Sequence, residues 1–118
     1  MDFQGKIAIV TGAGSPNGIG RETAIALADR GADIVVADID LNGAKNTVKD
    51  IEALGRRGLA VEVNITDEKS VANMVELAVS EFGKIDILVN NAGITQPIKT
   101  KDMTLDDFTR IVNVNLPG

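Results

Sequence analysis

The chain has 118 residues, a net charge of −5, 44% hydrophobic and 25% charged residues, and no Cys, His, Trp or Tyr. That composition fits one ordinary globular domain and excludes disulfides, thiolate chemistry and Cys- or His-based metal sites. The Lys and Arg are scattered, which argues against a nucleic-acid or anionic-membrane partner. No apolar run approaches the ~18 residues of a membrane span and no secretory pattern opens the chain, so the cytoplasm is the expected compartment.

Taken in chain order, short β-branched runs alternate with longer helical patterns, the mark of βαβ units on a parallel sheet. Strands are expected at Ile7–Thr11, Ile34–Asp38, Leu59–Asn64 and Ile87–Asn90. Three of them are nearly continuous apolar runs, as suits a sheet covered on both faces. A first helix starts from Gly18, buries Ala24, Leu27 and Ala28, and stops near Gly31. A second runs from about Asn42 through Ala44, Val48, Ile51 and Leu54, with Arg56 and Arg57 suited to the negative end of its dipole. The third carries the best stripe, Val71, Met74, Val75, Ala78, Val79 and Phe82, with Thr66 as its expected cap and Gly83 as its stop. A last helix is expected from Thr104 through Leu105, Phe108, Ile111 and Val112 to the chain end.

The turn after the first strand, Thr11 to Gly20, is rich in glycine. Such a turn between a strand and a helix lets the backbone approach a pyrophosphate and aims free N–H groups and the helix dipole at the anion. The spacing G-x-G-x-x-G begins at Gly12 and Gly14 but fails at Asn17, and a structural turn around Pro16-Asn17 is the bland alternative. Eighteen residues after Gly20 stands Asp38, at the end of the second strand, where a carboxylate can accept both hydroxyls of an adenosine ribose. Loop and acid together point to dinucleotide binding. A 2′-phosphate within ~4 Å of that carboxylate would be repelled by about 1–4 kcal/mol per unit charge, so NAD is expected and NADP is less favoured.

Thr11-Gly12 with Gly18-Ile19-Gly20, Asp38, Asn90-Asn-Ala-Gly93 and the closing Asn115-Leu-Pro-Gly118 together resemble the short-chain dehydrogenases/reductases. The resemblance covers the whole chain and is nearest to the bacterial 3-oxoacyl-carrier-protein reductase and glucose dehydrogenase group. It implies an α/β, Rossmann-type, doubly wound parallel sheet, of which residues 1–118 form a single NAD(P)-binding domain with the first four strands in the order 3-2-1-4. The rest of the fold is expected to be absent.

The resemblance assigns the cofactor loop to Thr11, Gly12, Gly14, Ser15, Asn17, Gly18, Ile19 and Gly20, and the adenine ribose to Asp38 with Ile39 beside it. Asn64 stands where the family commonly has Asp against the adenine amino group, and Ile65 offers a backbone N–H next to it. Asn90, Ala92 and Gly93 would lie along the nicotinamide ribose, while Asn91 would brace strand 4 against strand 1. A tight turn is the alternative reading of the Asn90–Gly93 run. Asn115 resembles the family's catalytic asparagine, whose carbonyl holds a relay water. Pro117 would disturb the last helix and free that carbonyl, or the helix simply ends there.

The family's proton donor is the tyrosine of a Tyr-x-x-x-Lys segment, assisted by a serine. This chain has no tyrosine, and Ser15, Ser70 and Ser80 do not match the serine's place. The expectation is therefore the cofactor-binding half of an oxidoreductase acting on a small-molecule alcohol or carbonyl, inactive by itself. Exposed faces, including an open edge at strand 4, would favour a homo-oligomer or other association. A non-catalytic dinucleotide-binding module that may self-assemble is the alternative. A module for another adenine nucleotide is weaker, because no Gly-Lys-Ser/Thr loop is present.

Overall fold

A computed structural model describes residues 3–14 and 18–90, and the backbone of 112–115. The elements are β1 (Ile7–Thr11), α1 (Ile19–Asp29), β2 (Asp33–Asp38), α2 (Leu41–Ala53), β3 (Gly58–Glu62), α3 (Glu68–Phe82), β4 (Ile87–Asn90) and β5 (Val112–Asn115). The sheet order is β3-β2-β1-β4-β5, and every pair is parallel. The anticipated order 3-2-1-4 is thus present, with a fifth strand added beyond β4.

Side chains alternate across the sheet with period two. Ala8 and Val10 of β1, Ile34 and Val36 of β2, and Ile87 and Val89 of β4 face α1 and α2. Ile9, Val35, Ala37 and Leu88 face the other way, onto Val71, Met74, Val75 and Ala78 of α3. Helix α1 buries only Gly20, Ala24 and Ala28, spaced by one turn, so its backbone lies close to the sheet. Asp86 secures the start of β4: its carboxylate accepts the Ile7 N–H at 2.9 Å while its own N–H donates to the Ile7 carbonyl at 2.9 Å.

Three local expectations need correction. Val112–Asn115 is strand, not helix, and pairs with β4 with Asn90 opposite Asn115. Strand β4 is therefore not the sheet's edge. The residues of the expected helix before Val112 lie outside the described residues. Second, α3 is capped by Asp67, whose side chain accepts from the Lys69 N–H at 3.0 Å. Thr66 instead donates its backbone N–H and its hydroxyl to Asn64 Oδ1, at 3.0 and 2.6 Å. Third, only one of the arginines after α2 stays at its C-terminal end: Arg56 Nε donates to the Gly55 carbonyl at 3.0 Å, whereas Arg57 turns to α3. Arg56 also donates to the Gly31 carbonyl, and Arg57 pairs with Glu81 at 2.6 Å and stacks on Phe82 at 4.7 Å. Gly83 does end α3, with φ +83 in the left-handed region.

The cap assignment has a direct consequence. Asp67→Ala should cost about 1 kcal/mol in urea denaturation, and Thr66→Ala less than half of that. The reverse ranking would show that the threonine carries the helix start.

Candidate functional site

A parallel sheet of this kind changes direction between β1 and β4: the chain winds outward through β2 and β3 on one side and through β4 and β5 on the other. Crevices for ligands open at the carboxyl ends of the strands flanking such a switch point. Thr11, Asp38, Asn90 and Asn115 all stand at those ends. The register sets Thr11 opposite Asn90, and Asn90 opposite Asn115. Four positions read from the sequence as belonging to one site thus share one rim of the sheet.

The turn after β1 is held from several directions. Gly12 has φ +68, a conformation that side chains resist, and its N–H donates to the Ala37 carbonyl at 2.8 Å. The Gly14 N–H donates to Asp38 Oδ2 at 2.8 Å, and Asp38 Oδ1 accepts the Asp40 N–H at 2.9 Å. Each oxygen of the Asp38 carboxylate therefore takes one backbone N–H and keeps capacity to accept a hydroxyl. The loop is crowded as well: a Cβ at Gly14 would lie 2.9 Å from Asp38 Cγ and 3.0 Å from the Ala44 nitrogen.

Helix α1 begins next to this turn. Its N-cap is Gly18 in extended geometry, a residue with no side chain to cap the first turn. Backbone N–H groups at such an end are suited to an anion. Ile19 is 47% exposed beside Gly20, which is buried. Ser15 and Asn17 lie outside the described residues, as do Asn91, Ala92 and Gly93.

Asn90 ties strand 4 to strand 1, while the brace expected of Asn91 falls outside the described residues. The Thr11 hydroxyl donates to Asn90 Oδ1 at 3.0 Å, and both side chains are buried. Asn64 is exposed after β3, with its carboxamide oxygen engaged by Thr66 and its N–H donating to Ser70 Oγ at 2.8 Å. Ile65 is half-buried and packs on the α3-side core, whereas Ile39 is 70% exposed beside Asp38.

Two residues of α2 that the sequence reading passed over touch this region. Thr47, fully buried, donates its hydroxyl to the Ala13 carbonyl at 2.7 Å. Gly43 lies against Gly14, and a Cβ there would fall on the Gly14 carbonyl oxygen. A signal for Gly43 was available. Glycine within a helix costs about 1 kcal/mol against alanine, so its presence at the third position of α2 asks for a close approach. Among the described residues no cluster of acidic side chains could hold a metal ion, and no helix is long and apolar enough to cross a membrane.

Parallel strands in the order β3-β2-β1-β4-β5 with helices on both faces define a Rossmann-type fold. The short chain dehydrogenase family model matches residues 6–118, and the chain belongs to that family. It is 45% identical over 116 residues to 7alpha-hydroxysteroid dehydrogenase of Escherichia coli (strain K12), covering 98% of this chain and 44% of that protein. It is 37% identical over 118 residues to the 3-oxoacyl-[acyl-carrier-protein] reductase FabG of Thermotoga maritima, covering 100% of this chain and 47% of the relative. A solved 7 alpha-hydroxysteroid dehydrogenase, complexed with NADH and 7-oxo glycochenodeoxycholic acid, superimposes with TM-score 0.74 at 45% identity, over 92% of this chain and 41% of that one. The chain spans less than half the length of each of these.

Proposed function

We propose that residues 1–118 form one NAD-binding Rossmann-type domain, the cofactor-binding half of an oxidoreductase that interconverts an alcohol and its carbonyl. The observation that carries this is the Asp38 carboxylate at the end of β2, bonded to the glycine turn through Gly14 and ready to accept ribose hydroxyls. The chain's own residues fit a dinucleotide. The glycine turn admits close approach, the glycine-led start of α1 suits the phosphates, and the rim from Thr11 to Asn90 leads towards the reacting end. When bound, the nicotinamide ring supplies the acceptor or donor of a hydride.

Asp38 orients the adenosine and selects against a 2′-phosphate, since neither Ile39 nor Asp40 after it carries positive charge. Asn90 keeps β4 fixed against β1 through Thr11, which holds the rim in register. Asn115 is proposed for the proton relay from its place beside Asn90. The anticipated route, a carbonyl freed by a disturbed helix, does not apply to a strand. No tyrosine or histidine is among these residues, so the chain by itself should show no turnover. Both named relatives point to a substrate class containing an alcohol or a carbonyl. Homo-oligomerisation and a cytoplasmic location belong to the same proposal.

Calorimetric titration with NADH and NADPH tests it. NADH should bind about 10–1,000-fold more tightly, following the repulsion expected at Asp38. Equal or tighter binding of NADPH would overturn the cofactor choice. Measurable alcohol oxidation by the 118 residues alone would overturn the assignment of the proton donor elsewhere.

A further inference from the structure

The peptide joining Ala13 to Gly14 is bonded at both ends by side chains from different elements. Its carbonyl oxygen accepts the Thr47 hydroxyl at 2.7 Å, from α2. Its N–H donates to Asp38 Oδ2 at 2.8 Å, from the end of β2. One bond fixes where a peptide sits, and two opposed bonds also fix which way it faces. Rotating this peptide plane would break both. Thr47 is 1% exposed and Ala13 0%, so no water replaces the hydroxyl if it is removed.

The next peptide along the turn is placed by contact. The Gly14 carbonyl lies against Gly43, where any side chain would drive it away. The first turn of α2 is itself anchored, with Asp40 Oδ1 accepting the Gly43 N–H at 3.2 Å. Helix α2 therefore presents a bare backbone at residue 43 and a hydroxyl one turn later at residue 47, both aimed at the turn that would cover the pyrophosphate.

We propose that Gly43 and Thr47 are positioning residues for the dinucleotide. From α2 they set the orientation and height of the 13–14 segment, and hence the direction in which the glycine turn meets phosphate, without touching the ligand themselves. The proposal rests on the cofactor-binding reading above. It predicts that their loss harms ligands carrying the pyrophosphate and spares those that reach only Asp38.

The test compares the full chain with Thr47→Val, Thr47→Ser and Gly43→Ala by calorimetric titration of ADP-ribose and adenosine, with melting temperatures alongside. Thr47→Val should weaken ADP-ribose about tenfold and adenosine less than about twofold. Thr47→Ser, which keeps the hydroxyl, should return ADP-ribose to within about twofold of the parent. Gly43→Ala should weaken ADP-ribose at least as much as Thr47→Val. Unchanged ADP-ribose binding in Thr47→Val and Gly43→Ala would overturn the proposal while leaving the cofactor reading intact. So would equal weakening of both ligands with a lowered melting temperature, the pattern of a merely structural role. A parent chain that binds neither ligand overturns the cofactor reading, and the positioning role with it.

Discussion

Asp38→Ala should reduce NADH affinity about 100-fold and lower stability by about 1–3 kcal/mol. Two losses combine. The variant gives up the acceptor proposed for the ribose hydroxyls, where two bonds to a charged group amount to roughly 3 kcal/mol. It also releases the Gly14 and Asp40 N–H groups that the carboxylate now accepts, so the turn and the start of α2 both lose a tie. Asp38→Asn separates the effects. It keeps an acceptor for one of those N–H groups, removes the charge, and should narrow the difference between NADH and NADPH to less than about tenfold. Calorimetry with both nucleotides and urea denaturation of both variants checks this. NADH affinity within about threefold of the parent in Asp38→Ala would remove the carboxylate from the cofactor reading.

Ile34→Ala should be the most destabilising single truncation in the sheet, at about 4 kcal/mol. Ile34 is 0% exposed, and its neighbours across the sheet are Ala8 on one side and Gly58 on the other. Its side chain is therefore the only bulky one at that level of β1, β2 and β3 on the face packed by α1 and α2. Neither an alanine nor a glycine can lean into the space it leaves, so the cavity persists and the cost lies towards the upper end of the usual range. Against a total stability of about 5–15 kcal/mol such a loss is large. Ile34→Val should cost about 1 kcal/mol. Urea midpoints with unchanged slopes would measure both. A loss below about 1.5 kcal/mol for the alanine variant would show that the helices collapse onto the sheet and fill the gap.

Much of this was legible in the sequence, because burial on both faces leaves little freedom in the strands. Ile7–Thr11 and Ile87–Asn90 match their predicted limits, and Ile34–Asp38 lacks only Asp33. The third strand ends at Glu62 rather than Asn64, and the Asn64 side chain starts the turn towards α3. The family, and the placing of Thr11, Asp38 and Asn90 at strand ends, could likewise be read in advance, whereas Asn115 was expected on a helix. What misled was competition between signals. Leu105, Phe108 and Val112 repeat at helical spacing, yet Val112-Asn-Val-Asn115 also alternates with period two, and the strand prevailed in Val112–Asn115. At Thr66 and Asp67, two adjacent capping residues compete, and only side-chain geometry decides which reaches the helix. Thr47 was hidden for another reason. Its part depends on what lies opposite it, and helical periodicity records which residues are buried, not what they meet.

The bonds that shape the rim also differ in how far along the chain they reach. Gly14 and Asp38 are 24 residues apart, and Ala13 and Thr47 are 34 apart, whereas Thr11 and Asn90 are separated by 79. The first two close within a single βαβα stretch, at small cost in loop entropy. The third must wait until three helices and three further strands have been made. A chain emerging from the ribosome, N-terminus first, can therefore assemble the Asp38 end of its rim while the partner of Thr11 is still unsynthesised. The site is divided in time as well as in space, and a small nucleotide fragment would find its landing place on the nascent chain before the rim is complete.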